Sequence, residues 1–190
     1  LGWSPSGSDI GGQGWYDLAM AINPGNSNNI VIGGINNWKS TNGGTQWELS
    51  SWLYHNDNFN YVHADQHMLK YSPHNNNLYV VNDGGVYTST NNGETWNDIT
   101  SNLQILQTYK IGSSIKVDSR FICGNQDNGT FLNDTNEWNM VLGGDGMNCF
   151  LSPTVPSSMF GSTFNGQLYK STEYGTAFYS IKPDKDINGA

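Results

Sequence analysis

Arginine is almost missing from this chain. Arg120 is the single one in 190 residues, and Lys and Arg together number 8 against 16 Asp and Glu, for a formal charge of −8. Binding a phosphate backbone through counterion release needs clustered cations, so nucleic acid is excluded as a partner. A polybasic membrane anchor fails on the same ground. No run of about 18 apolar residues occurs, so no membrane-spanning helix is expected. No signal-peptide pattern opens the chain. It starts at Leu1 without a Met and reads as a processed product or an excised piece of something longer. Cysteine is scarce as well. Cys123 and Cys149 lie outside any CxxC pair, which removes the common zinc and redox motifs. Two readings of them stay open: small buried thiols, or one disulfide between neighbouring repeats if their Cα atoms come within about 7 Å. The Gly-x-Ser-x-Gly elbow of serine hydrolases is absent, and no glycine-rich phosphate loop precedes a helix. No cofactor is expected.

What fills the chain is turn chemistry. There are 23 Gly and 26 Asn, with charged residues at only 13%, a composition suited to an all-β fold with many turns rather than to helices. The informative string is Ser89-Thr90-Asn91-Asn92-Gly93-Glu94-Thr95-Trp96. Asn-Asn-Gly supplies residues that tolerate positive φ, which a tight turn needs. Ser89 and Thr95 are placed to bond the turn backbone, and Trp96 to cover it. The string recurs as Ser40-Thr41-Asn42-Gly43-Gly44-Thr45-Gln46-Trp47. It returns more loosely as Ser171–Phe178, and in a shortened form over Leu132–Trp138. The closing aromatics are Trp47, Trp96, Trp138 and Phe178. A spacing of roughly 40–50 residues between short-strand units is the period of a β-propeller blade.

Alignment on these turns gives one propeller segment of about four blades, approximately 12–49, 63–99, 106–142 and 145–181, each of four antiparallel strands. Pro24, Pro73 and Pro153 all follow a first strand, where a residue without an amide donor ends the ladder. One such sheet cannot bury both faces, so blades must stack. The stretch Ser50–Gln66 is expected to be a long functional or disordered loop. Residues 1–14 and 182–190 read as ragged ends. Asn128-Gly129-Thr130 and Asn133-Asp134-Thr135 match the glycosylation sequon, a cheap match in so Asn-rich a chain.

In a propeller the loops between blades and those joining second to third strands share one face. That sorting gathers Trp15, Asp17, His63, Asp65, His67, Asp83, Gln126, Asp127, Asn128 and Asp145 on one side. Glycoside hydrolysis needs a proton donor and a base or nucleophile roughly 5–9.5 Å apart. Asp65, flanked by His63 and His67, is the best catalytic candidate, with Asp145, Asp127 and Asp83 as possible partners. Trp15, Asp17, His63, His67, Asp83, Gln126 and Asn128 are candidates for holding substrate. The competing reading is that Asp beside Gly caps turns through its side-chain oxygens. His63-x-Asp65-x-His67 on an extended strand would also set three metal-ligand types on one side. No dense calcium-loop string appears, and no metal is assigned.

The two strings ending in Trp47 and Trp96 resemble the Asp-box, or BNR, repeat Ser-x-Asp-x-Gly-x-Thr-Trp of sialidase-like β-propellers. Asn42 and Asn91 replace the Asp, and Glu173 does so in the last copy. The whole chain is similar to secreted bacterial BNR-repeat proteins of glycosyl-hydrolase type, in which strings like His63–His67, Asp83–Gly85 and Gln126–Gly129 recur. The resemblance implies a propeller, secreted or on the cell surface, that binds an oligo- or polysaccharide. Sialidases hold the substrate carboxylate with three arginines, which this chain cannot supply. Xyloglucanase-like enzymes use two aspartates, and a glycoside hydrolase of paired Asp carboxylates is the activity implied, if any. They pair two larger propellers, so the remaining blades are expected from the same precursor or another copy. The alternative is a non-catalytic adhesion or scaffold propeller that binds protein.

Overall fold

The computed structural model describes residues 3–8 and 12–181. The remaining positions of the two expected ragged ends, 1–2, 9–11 and 182–190, lie outside the described residues. The chain is all-β. Among the described residues it forms four antiparallel sheets of four strands, each a meander in sequence order, which is the blade motif of a β-propeller. Among the described residues no helix is long and apolar enough to cross a membrane. The chain divides into two compact units between Ile105 and Leu106.

The first unit holds two sheets. The first contains β1 (Ala19–Asn23), β2 (Asn26–Gly33), β3 (Asn37–Ser40) and β4 (Glu48–Ser51). The second contains β5 (Gln66–Tyr71), β6 (Leu78–Asn82), β7 (Gly85–Ser89) and β8 (Asn97–Asp98). Alternation along β1 turns Ala19, Ala21 and Asn23 inward and Met20 and Ile22 outward. Ala19, Ala21 and Val31 pack with Val62, Leu69, Tyr71, Leu78, Val80 and Tyr87 into one core between the sheets. The small alanines let the two backbones come close. At Gly33 even a methyl group would meet Gln66 Cβ at 2.7 Å.

The second unit repeats the plan with β9 (Thr108–Ser113), β10 (Phe121–Asn125), β11 (Gly129–Asp134) and β12 (Glu137–Leu142), then β13 (Cys149–Leu151), β14 (Met159–Thr163), β15 (Gln167–Ser171) and β16 (Tyr179–Ser180). Its core joins Ile122, Leu132, Cys149, Leu151 and Met159, covered by Val141 and Phe178. Both cysteines are buried free thiols. Burial, and then the neighbouring Cys123, push Cys149 up to about 11.

The repeated turn is built as its residues dictate. Ser89 Oγ accepts from the amides of Asn91 (3.3 Å) and Gly93 (2.8 Å), and Asn91 Oδ1 accepts from the Thr95 amide (2.9 Å). Ser40 and Asn42 make the same bonds to Asn42, Gly44 and Gln46. Ser171 accepts from Glu173 and Gly175. Each of the three copies carries two successive positive φ values: Gly43 and Gly44, Asn92 and Gly93, Tyr174 and Gly175. The shortened copy is different. It is a two-residue hairpin with Thr135 and Asn136 both left-handed and Asp134 paired to Glu137. Trp96 closes its turn across the sheets, donating Nε1–H to Ser50 Oγ at 2.9 Å.

The long 50–66 connection is not loose. Trp52 stands edge-on to Tyr54 and Phe59, His55 stacks on Tyr61 at 3.6 Å, and a bridge pairs Trp52 with Tyr61. Its own aromatics pack on one another, although Tyr54 and Phe59 stay exposed.

Candidate functional site: a carboxylate knot in the first unit

Three loops of the first unit meet at one end of the second sheet. They are 13–17 ahead of β1, 63–65 ahead of β5, and 83–84 between β6 and β7. The repeated turns lie at the other strand ends. Gln13 donates its side-chain amide to Asp65. Tyr16 donates its hydroxyl to Asp83 Oδ2 at 2.9 Å. His67 Nε2 lies 2.5 Å from Asp83 Oδ1. Asp65 and Asp83 bring carboxylate oxygens within 4.8 Å of each other.

The sequence dictates this knot locally. Asp65 sits at φ 65°, in the left-handed region that Asp tolerates better than most residues. Gln66 is fully buried and donates to the His63 carbonyl at 2.6 Å, while its own Oε1 accepts from Asn82 at 3.1 Å. Asn82 also donates to the His63 carbonyl and accepts from the Gly84 amide. A Cβ at Gly84 would sit 2.1 Å from the His63 ring, so glycine there is required by contact. His63–His67 and Asp83–Gly85 are therefore two halves of one interlocked structure.

This geometry overturns the reading of His63, Asp65 and His67 as one row of metal ligands. β5 begins only at Gln66, the backbone turns left-handed at Asp65, and the register shifts between Gln66 and Met68. The i, i+2, i+4 rule needs continuous extended chain, so the three side chains do not share a strand face. His63 is instead packed against Gly84, and His67 is bonded to Asp83.

Asp17 lies just ahead of β1 and is fully buried. Among the described residues, neither of its carboxylate oxygens has a hydrogen-bond partner. Burial raises its pKa to about 6, the negative charge of Asp65 adds to the shift, and Asp83 contributes further. Its own amide and His67 oppose the rise. Asp65 is also raised, by burial first and by Asp83 second, against His63, Gln13 and His67. Trp15 is 87% exposed, with its ring 5.9 Å from Tyr16. Tyr16 in turn stands edge-on to His67.

In the second unit the other predicted residues are hydrogen-bonded among themselves. Asp145 Oδ1 accepts from the Asp127 amide at 2.9 Å, and Asn128 donates to the Gln126 carbonyl at 3.0 Å. Asp127 has φ 56°. The glycines beside Asp145 follow from packing, since a Cβ at Gly146 would lie 2.2 Å from the Gly129 carbonyl oxygen. Asp145 here accepts from the turn at 126–128, 18 positions away, rather than from its own loop.

Sequence reasoning did not single out Gln13 or Tyr16, although both stand in the Gln13–Asp17 string. Their polar ends face acids 52 and 67 positions away, and no local pattern reports such a distance. At the other end of the first sheet an open groove of about 450 Å³ lies between Lys39 and the Ser40 turn. Lys39 is already bonded to Glu48 and Glu94.

No family model and no curated protein matches the chain. Solved structures of similar shape include an ancestral GH74 enzyme at 17% identity and TM-score 0.38, covering 86% of this chain and 27% of that one. A GH74 xyloglucanase from Xanthomonas campestris matches at 15% and 0.37, covering 87% and 30%. The extracellular domain of a hybrid two-component system from B. thetaiotaomicron matches at 10% and 0.38, covering 87% and 24%. The chain thus spans less than a third of the length of each, and no residue role is carried over from them.

Proposed function

We propose that this chain is a secreted or surface β-propeller module that binds carbohydrate, with the contact surface at Trp15 and the neighbouring acids of the first unit. The observation that carries the reading is the indole of Trp15, 87% exposed and packed near Tyr16, whose hydroxyl bonds Asp83. An exposed aromatic face can cover the apolar side of a sugar ring. Carboxylates such as Asp65 and Asp83 accept hydrogen bonds from its hydroxyls, and charge-assisted bonds are the stronger kind. Similar shape to GH74 enzymes is in keeping with this reading.

Binding is put ahead of hydrolysis. Asp83 is held by Tyr16 and His67, and Asp145 caps a loop, so Asp65 is the acid best placed to act on a substrate. Hydrolysis requires a second carboxyl group free to work with it.

A glycan array probed with the purified chain tests the proposal, beside Trp15→Ala and Asp65→Ala. Retention of a defined oligosaccharide, lost in both variants, is the expected result. A folded chain that retains no glycan would overturn it and direct the search to a protein partner.

A further inference from the structure

The acids of the first unit have a second property, independent of sugar binding. Asp65 and Asp83 approach within 4.8 Å and are fixed by groups on three loops. Asp17, on the loop that Gln13 and Tyr16 tie to them, is wholly buried, and among the described residues its two oxygens have no hydrogen-bond partner on another residue. A buried carboxylate without donors is costly, because nothing replaces the water it lost. Its field is dominated by these same neighbours: Asp65, His67 and Asp83 are the side chains that act on it. The loop carrying Asp17 is tied to the cluster on both sides of its turn, through Gln13 and Tyr16. Asp65 is therefore held by Gln13, and Asp83 by Tyr16 and His67, while His63 and His67 are the basic side chains that act on Asp65.

We propose that Asp65 and Asp83 bind a divalent cation, with Asp17 supplying a third negative charge from the buried side. The cation is calcium by class. The donors are carboxylate oxygens, hard ligands that suit calcium; among the described residues no thiolate stands at the cluster, and His67 is already bonded to Asp83. Calcium accepts 6–8 oxygens at flexible angles, so water completes the shell.

The test is isothermal titration of calcium chloride into the chelator-treated full chain, with thermal melting in parallel. The expected result is one saturable site, a raised melting midpoint, and loss of both effects in Asp83→Asn and in Asp65→Asn. Asn accepts the left-handed backbone at position 65, so the fold survives that change. Asp118→Asn, an exposed acid elsewhere, should bind as the wild type does. Terbium gives a second readout, since its luminescence should be sensitised by Trp15 and quenched by added calcium. A folded wild type that neither takes up calcium nor sensitises terbium overturns the proposal. So does calcium uptake that is unchanged when Asp65 and Asp83 are both replaced. Neither outcome bears on glycan retention measured in chelator, which tests the carbohydrate reading separately.

Discussion

The hydroxyl of Tyr16 donates to Asp83 Oδ2 across 2.9 Å and ties the loop before the first sheet to the β6–β7 turn of the second. Trp15 is the preceding residue, its ring 5.9 Å from that of Tyr16, so this one bond helps fix the loop that carries the exposed indole. Tyr16→Phe keeps the ring and removes the donor. Losing a bond to a charged acceptor at a partly exposed site should cost about 1 kcal/mol. Urea denaturation would measure that cost. Glycan affinity should fall several-fold, and an unchanged affinity would detach Trp15 from the binding surface.

Asp17 makes stability fall as pH rises. Its ordinary pKa of 3.8 is raised to about 6 in the folded chain. The native state therefore holds a proton that the unfolded state releases. The contribution is fully present below about pH 4 and is lost as pH climbs through 6, amounting to about 3 kcal/mol at most. Unfolding free energies of wild type and Asp17→Asn, taken in chelator at pH 4.5 and 7.5, isolate the effect. The variant should be relatively more stable at the higher pH. Parallel pH profiles would sink the assignment.

The repeated turn depends on its serine more than on the acid that names the motif. Ser89→Ala removes the acceptor of two turn amides, and by analogy with helix caps it should cost about 1–2 kcal/mol. Asn91→Asp keeps the oxygen that the Thr95 amide needs, and Thr95 can rotate its hydroxyl to donate. That change should stay within about 0.5 kcal/mol of wild type. Melting of the two variants side by side decides the order.

Gly84 admits no side chain. Its Cβ would overlap the His63 ring at 2.1 Å, so Gly84→Ala must displace the loop that carries Asp65. Overpacking of this kind costs typically about 1–3 kcal/mol. A melting point equal to wild type would show that His63 moves freely.

The two thiols should behave as buried, separate groups. Cys149 Sγ lies 3.5 Å from the Ile122 carbonyl oxygen and 3.6 Å from that of Lys110. Burial keeps it protonated well above neutral pH. A thiol reagent at pH 8 should label neither cysteine until denaturant is added. Rapid labelling of the native chain would contradict the packing of the second unit.

The sheets and the turns were legible in the amino-acid sequence, because both are set by short-range chemistry. Ser89 to Trp96 carries every group its turn needs within eight positions, and the recurrence of that string announces four copies of one four-stranded plan. Alternation in β1 likewise marks the inward face before any partner is known. The shortened copy at Leu132–Trp138 was recognisable as a turn, yet its two-residue form depended on the pairing of Asp134 with Glu137. The carboxylate knot was decided by tertiary structure. His63, Asp65 and His67 look like one strand face in sequence, and the left-handed backbone at Asp65 separates them. Asp17 reads as one more loop acid until burial removes its water. Gln13 and Tyr16 acquire a role only because folding brings them to acids that lie far along the chain. Local propensity governs the first group; burial and long-range contact, which a linear pattern does not encode, govern the second.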